Sequence, residues 1–131
     1  MKGIDTNILV RYLVGDDPAQ FLAARHLIQD ECSELEPGFV NQIVLAELVW
    51  VLERGYKYAR PEIERALGAL FLTSQLSIEH PDDARIAFQE YQRGSDFADS
   101  LIASANNRAG CEFTGTFDRK AARRRGFRLI E

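Results

Sequence analysis

The chain has 131 residues, 46% of them hydrophobic and 27% charged, which is the size and composition of one ordinary domain with enough apolar side chains for a core. Its net charge of −4 gives no overall electrostatic case for binding nucleic acid, and its two cysteines and two histidines form no zinc-ligand pattern. No apolar run approaches the roughly 18 residues of a membrane span, and "MKGIDTNILV" lacks the layout of a signal peptide. We therefore expect a soluble, cytoplasmic, single domain over residues 1–131 without membrane association.

Strand and helix signals alternate through the first half of the chain. "MKGID" predicts a short strand ending at Asp5, and Thr6 is the expected cap of a helix that ends at Gly15. Asp17 followed by Pro18 is a typical helix start, a capping residue with proline at the first helical position. After "FVN", which predicts a second strand, "QIVLAELVWVLERGY" predicts a long helix.

The second half continues this alternation. Pro61 and Pro81 begin two helices on either side of the strand-like "LSIEH", and "DFADSLIASANNRAG" predicts another helix. "CEFTGT" predicts a strand, "DRKAARRR" a short helix and "FRLI" a last strand. Strands that alternate with helices indicate an α/β fold, a three-layer α/β/α sandwich with a central, mainly parallel sheet. Ligands of such folds bind beyond the carboxyl ends of the strands, where Asp5 and Asp118 are predicted to lie.

Glu47 is the acidic residue that fits its surroundings least. Residues 43–52 read "IVLAELVWVL", nine apolar residues and one carboxylate, and a helix that is apolar on nearly all sides is typically buried. An ionised carboxylate is almost never buried without a partner. Either Glu47 points outward to meet an arginine, or it belongs to a site.

Asp96 and Asp99 are a second unusual feature, because like charges three residues apart on a helix repel each other. Helix capping is one explanation, with Asp96 as the N-cap, Asp99 as the acidic third residue of a capping box, and Leu101, Ile102 and Ala105 facing the core. Asp5 and Asp118 can also be explained as acids that begin helices.

One cause would replace these separate explanations, namely a divalent cation at the strand ends. Two carboxylates about 4 Å apart repel by on the order of 4 kcal/mol at an effective dielectric of 20, and a dication reverses the sign of that interaction. Because no histidine or cysteine accompanies the acids, Mg²⁺ or Mn²⁺ is the expected metal. Such a site can hydrolyse a phosphodiester with a metal-activated water. Short polar residues beside the acids could orient water or substrate: Thr6, Asn7 and Thr116.

Four blocks in this order, "DTNILVRYL", "AELVWVL", "DFADSLIA" and "TFDRKAAR", resemble the PIN-domain nucleases, and among these the VapC-type toxins of bacterial toxin–antitoxin pairs. The resemblance covers nearly the whole chain and implies the same three-layer fold. It implies a Mg²⁺ or Mn²⁺ site and cleavage of RNA, typically a tRNA or ribosomal RNA in the toxins. It also implies a homodimer and a cognate antitoxin. The catalytic and metal-binding residues carry over as Asp5, Glu47, Asp99 and Asp118, with Asp96 as an additional acid.

A basic segment follows Asp118 directly, since six of the ten residues from 119 to 128 are Lys or Arg. Such a run is often a solvated helix face. Beside a metal site it would be a phosphate-contacting rim for RNA, and its candidate residues are Arg119, Lys120, Arg123 and Arg124. Aromatic residues could stack on bases, although core burial is the simpler prediction for Phe97, Phe117 and Tyr12. Trp50, Tyr56 and Tyr58 are candidates for a dimer or antitoxin surface, and core packing is again the simpler prediction.

Three alternatives to a toxin stay open. The chain could be a PIN-domain nuclease of RNA processing, or a non-catalytic interaction module whose acids bind a structural ion or a partner's arginine. It could also be a magnesium-dependent phosphatase or phosphoryl-acceptor domain with Asp5 as the nucleophile. Those domains usually have a second acid two residues further on, where this chain has Asn7.

Overall fold

The computed structural model describes residues 1–131, which form two compact units, Met1–Ala84 and Arg85–Glu131. The strands are β1 (Lys2–Gly3), β2 (Gly38–Val40), β3 (Leu76–Ile78), β4 (Thr114–Thr116) and β5 (Phe127–Leu129). The helices are α1 (Thr6–Val14), α2 (Pro18–Arg25), α3 (Gln42–Trp50), α4 (Arg60–Phe71), α5 (Pro81–Gln92) and α6 (Phe97–Arg108). Two π-helical turns, His26–Glu31 and Val51–Gly55, extend α2 and α3. None of the helices has both the length and the apolar composition needed to span a bilayer.

The first unit contains a three-stranded parallel sheet in the order β1–β2–β3. Lys2 pairs with Gly38 across the first strand pair, and Gly38 pairs with Leu76 across the second. Helices separate these strands in the chain, as parallel pairing requires. The predicted α/β class with parallel strands is confirmed.

Gly38 on the central strand allows the neighbouring strands to pack closely. A Cβ atom at this position would lie 2.8 Å from Cγ1 of Ile4 and 3.1 Å from Cδ2 of Leu76. Contacts this short force side chains to shift, so the site favours glycine. Ile4 is buried and immediately precedes Asp5, which links the packing of the sheet to the position of that acid.

The helix boundaries follow the predicted capping residues with one correction. Asp5, and not Thr6, is the N-cap of α1, and its Oδ1 accepts a hydrogen bond of 2.8 Å from the Thr6 N–H. Gly15 ends α1 in the left-handed conformation, with φ 71°. Asp17 caps α2 with Pro18 in the first turn, as predicted.

The prediction that α3 is buried on all sides is wrong. Leu45, Leu48 and Leu52 are fully buried, whereas Ile43 is 73% exposed and Trp50 is 61% exposed. Residues 43, 47 and 50 are spaced i, i+4 and i+7 and therefore share one side of the helix. Glu47 is exposed on that side, so the apolar sequence of α3 reflects one core face and one apolar solvent-facing side.

The second unit contains α6 and the parallel strand pair β4–β5, in which Gly115 pairs with Arg128. Tyr91 and Phe97 form the centre of its core, with an edge-to-face ring contact at 6.2 Å. The prediction that Leu101, Ile102 and Ala105 face the core holds for Leu101 only; the other two are exposed. The short helix predicted at "DRKAARRR" is a single 3₁₀ turn, Ala121–Arg123.

Candidate metal centre

Two predicted site residues of the first unit, Asp5 and Glu47, are connected through Thr6. The buried Thr6 hydroxyl donates a hydrogen bond of 2.7 Å to Oε1 of Glu47, and the Thr6 N–H donates to Asp5. The structure therefore joins α3 to the start of α1 across 41 residues of sequence. Thr6 binds the carboxylate of Glu47, and its role in orienting water or substrate stays a prediction. Asn7 is exposed in the first turn of the same helix.

The structure contradicts the interpretation in which Glu47 meets an arginine, and its membership of a site stays a prediction. Its side chain is neither buried nor paired with an arginine, because its recorded partner is the Thr6 hydroxyl and the residue is exposed. The bond from Thr6 engages Oε1 alone and leaves Oε2 of the carboxylate out of this contact. Glu47 therefore lies on the solvent-facing side of α3, linked to Asp5 through Thr6.

The second unit places the other three acids together. Asp96, Asp99 and Asp118 line a cleft of about 280 Å³ with Lys120 and Arg124. Asp96 is the N-cap of α6, and its Oδ2 accepts a hydrogen bond of 2.9 Å from the Asp99 N–H. The prediction that Asp96 is the N-cap is confirmed, and Asp96 and Asp99 both line the cleft.

Asp118 reaches the cleft from the end of β4. Its N–H donates to the Thr116 hydroxyl at 3.0 Å, and its Oδ1 accepts from the Lys120 N–H at 2.9 Å and the Ala121 N–H at 3.3 Å. Thr116 thus has a structural role in the turn that presents Asp118, and the same carboxylate caps the 3₁₀ turn. The second carboxylate oxygen, Oδ2, takes no part in these bonds.

Arg124 is built into this cleft. Its side chain is only 13% exposed, and Nη1 donates to the Asp96 carbonyl at 2.8 Å and to the Ser100 hydroxyl at 3.3 Å. Its Nε lies 3.8 Å from Oδ2 of Asp99. Arg119, Lys120 and Arg123 are exposed. The basic segment is therefore divided between one arginine that organises the acids and several exposed cations.

The surroundings of Asp99 disfavour the negative charge of its carboxylate. Partial burial raises the pKa of Asp99, the charge of Asp96 raises it further, Arg124 opposes this, and Asp118 adds a smaller upward effect. Repulsion by neighbouring carboxylates is the condition that a bound cation would relieve. Arg124 alone does not neutralise the group of acids.

The chemistry of the donor set suits a hard divalent cation, since the predicted ligands are all carboxylates. No group of three or more His, Cys, Asp or Glu side chains in this structure is arranged so that it could hold a metal ion. The predicted ligands are divided between the units, with Asp5 and Glu47 in the first and Asp96, Asp99 and Asp118 in the second. The assignment of these five residues to a metal stays a prediction.

Sequence reasoning missed Glu79 and the contacts that Arg124 makes with α6. Glu79 follows β3 and accepts a hydrogen bond of 3.0 Å from the Gln42 N–H at the start of α3, which strengthens the edge of the first sheet. The sequence feature that could have indicated Glu79 is its place as an acid directly after the strand-like "LSI". The pairing of Arg124 with α6 had no local signal, because its partners are 24 and 28 residues away.

The parallel strands, and the acids at strand ends and helix starts, place this chain in the class of α/β domains with a candidate metal site. This chain belongs to the PIN-domain family, which it matches over residues 3–126. It is similar to a VapC ribonuclease of Aquifex aeolicus (strain VF5), with 26% identity over 131 residues that cover 99% of this chain and 96% of that protein. The predicted family resemblance is confirmed.

Proposed function

We propose that the protein is a Mg²⁺- or Mn²⁺-dependent endoribonuclease, the toxin of a toxin–antitoxin pair. The observation that carries this proposal is the cleft in which three carboxylates meet Lys120 and Arg124, within a chain that matches the PIN-domain family. The similarity to a VapC ribonuclease supports RNA as the substrate. An all-carboxylate site beside exposed cations suits a phosphodiester, which is negatively charged and rich in oxygen.

Each acid has a proposed role. Asp5, Glu47 and Asp99 would hold the principal cation, and Asp96 and Asp118 would complete the site. When bound, the cation would neutralise phosphate charge and acidify a water molecule. Thr6 holds Glu47 in place by its 2.7 Å hydrogen bond, and Arg124 holds the start of α6. Lys120 lies on the rim of the cleft, where its ammonium group can attract a backbone phosphate.

The proposed partners follow from the same likeness. We expect an RNA substrate, of which a tRNA or ribosomal RNA is the first to test, a cognate antitoxin and a homodimer. Ile43 and Trp50 are exposed apolar side chains on α3, so the prediction of core packing is wrong for Trp50. Their exposure is consistent with a protein-covered surface on this helix.

Cleavage of RNA by the purified protein, freed of antitoxin, tests the proposal. We expect cleavage with Mg²⁺, none with EDTA, and recovery when Mg²⁺ is restored. Asp5→Asn and Asp99→Asn should each lower the rate by at least ~100-fold, since removal of a metal ligand costs at least as much as removal of its outer partners. Glu34→Gln, an exposed acid in the loop before β2, is the matched control and should cleave normally.

Two results would contradict the proposal. Cleavage that persists in EDTA would exclude the metal, and undiminished cleavage by both aspartate variants would exclude the site. Growth arrest on expression of the wild type, but not of Asp99→Asn, would separate a toxin from a nuclease of RNA processing.

A further inference from the structure

An aromatic surface lies beside the acidic cleft on the strand pair β4–β5. Side chains of a strand alternate between its two faces, and Phe113 and Phe117, which flank β4, lie two residues before and two residues after Gly115 in that alternation. Exposure follows this alternation: residues 113, 115 and 117 are exposed, and Thr114 and Thr116 are half-buried. We call the outer face, formed by Phe113, Gly115, Phe117 and Arg128, the aromatic strip.

Phe117 is the most exposed aromatic residue of the chain, at 83%, and Phe113 is 37% exposed. A phenylalanine in this position gains nothing from the core of the unit, and a solvated ring is a cost that a binding partner can recover. The sequence favoured core burial for Phe117, and the structure contradicts that expectation. Phe97, the other phenylalanine considered for stacking, is buried in the core and cannot contact a ligand.

The strip also carries positive charge. Arg128, opposite Gly115 in the strand register, places its guanidinium 4.4 Å from the centre of the Phe113 ring. An arginine held over a ring presents a planar cation for stacking or phosphate contact. Gly115 carries no side chain, and the side chain of Ile130 lies against it, 3.3 Å from where a Cβ atom would be. The Cα atoms of the two phenylalanines are about 13 Å apart along an extended strand, which leaves room for each ring to contact a separate base.

The strip ends at the acidic cleft, because Phe117 immediately precedes Asp118, which lines that cleft with Lys120. Exposed aromatic rings beside cationic side chains are the elements of a surface that binds single-stranded nucleic acid. We propose that the aromatic strip stacks the unpaired bases of an RNA substrate, with Phe117 contacting a base next to the phosphate in the cleft. This inference rests on the proposed function and adds to it the recognition of unpaired bases.

Binding without cleavage tests this inference separately. The probes are a labelled octauridine RNA and an octamer of the same length whose residues are abasic, both measured by fluorescence anisotropy in EDTA. Phe117→Leu should weaken octauridine binding by about tenfold, the effect of losing one stacked base, and leave the affinity for the abasic octamer unchanged. Phe117→Trp should retain the wild-type affinity because an indole stacks at least as well. Leu72→Ala, an 87% exposed apolar residue of the first unit, is the control and should change neither affinity.

The outcomes separate this inference from the nuclease proposal. An unchanged octauridine affinity in Phe117→Leu, or an equal loss on both probes, would overturn the inference, and the strip would then be a protein-binding surface. Base-dependent binding by a wild type that never cleaves RNA with Mg²⁺ would support the strip and contradict the nuclease. RNA cleavage by a protein whose RNA binding does not depend on Phe117 would support the nuclease and contradict the strip.

Discussion

Single polar residues determine how the acids of this chain are presented. Asp5 and Asp96 are N-caps, and each uses a carboxylate oxygen to bind a backbone N–H of its own helix. Capping and ligand binding are compatible because a carboxylate has two oxygens and about four acceptor positions. Sequence analysis offered helix capping and metal binding as alternatives, whereas one carboxylate has enough acceptor positions for both. Thr6 and Arg124, which position acids without being acidic, could not be recognised in the same way.

Thr6 offers the sharpest prediction at the residue scale. Thr6→Val keeps the shape of the side chain but removes the hydroxyl that donates to Glu47, whereas Thr6→Ser keeps it. If Glu47 serves the metal, Thr6→Val should lower kcat/KM for RNA by roughly 10- to 100-fold and raise the Mg²⁺ concentration needed for half-maximal rate. Thr6→Ser should stay near the wild type. The measurement is the cleavage rate against Mg²⁺ concentration.

Thr73→Val is the matched control, since the Thr73 hydroxyl only donates to the Ala69 carbonyl at the end of α4. Identical Mg²⁺ dependence in Thr6→Val and the wild type would show that the hydrogen bond to Glu47 has no part in the site.

At the scale of elements, the sequence predicted where helices begin and end, but it did not predict which of their faces are buried. Capping residues, prolines and glycines set the ends of α1 and α2 because these effects depend on a few neighbouring residues. The face of α3 was mispredicted because an almost uniformly apolar helix has no pattern that separates core from solvent. The apolar residues Ile43 and Trp50 look like core residues in sequence and are exposed.

A polar cluster joins α1, the α1–α2 connection and the turn after α3, and it predicts a pH dependence of stability. Asp16 accepts hydrogen bonds from the Tyr56 hydroxyl at 2.9 Å and from Arg11 at 3.0 Å. The bond from Tyr56 and the nearby Arg11 lower the pKa of Asp16. A lowered pKa in the folded state means that the ionised form stabilises the fold above the unfolded-state pKa, about 3.9, and that this stabilisation is lost as the pH falls through the folded-state value.

Asp16→Asn should therefore unfold at a lower temperature than the wild type at pH 7, and this difference should shrink as the pH falls below about 4. Thermal unfolding followed by circular dichroism between pH 2.5 and pH 7 measures it, with Glu34→Gln as a control whose melting temperature should follow the wild type throughout. A constant gap between Asp16→Asn and the wild type at every pH would contradict the electrostatic explanation.

At the scale of the whole molecule, the family match over residues 3–126 includes most of both compact units. The α/β class was predictable because strand and helix signals alternate along the chain. The structure shows that the predicted acids meet within each unit, as Asp5 with Glu47 through Thr6 and as Asp96 with Asp99 and Asp118 in the cleft. The hypothesis that one cation is served by carboxylates from both parts of the chain goes further, and ligand-induced stabilisation tests it.

A cation that binds only the folded chain stabilises it by RT ln(1 + [L]/Kd), about 1.4 kcal/mol at ten times Kd, which corresponds to a rise of roughly 5 °C in melting temperature. We expect Mg²⁺ to raise the melting temperature of the wild type by this amount and to leave Glu47→Gln and Asp99→Asn nearly unchanged. In EDTA at pH 7, Asp99→Asn should be at least as stable as the wild type, because the raised pKa of Asp99 marks an unfavourable charge that the amide removes. The double variant of Glu47→Gln and Asp99→Asn distinguishes one ion from two. If both acids bind one cation, the double variant should lose no more of the Mg²⁺-induced rise in melting temperature than either single variant. Partial losses that add together would assign the two acids to separate ions.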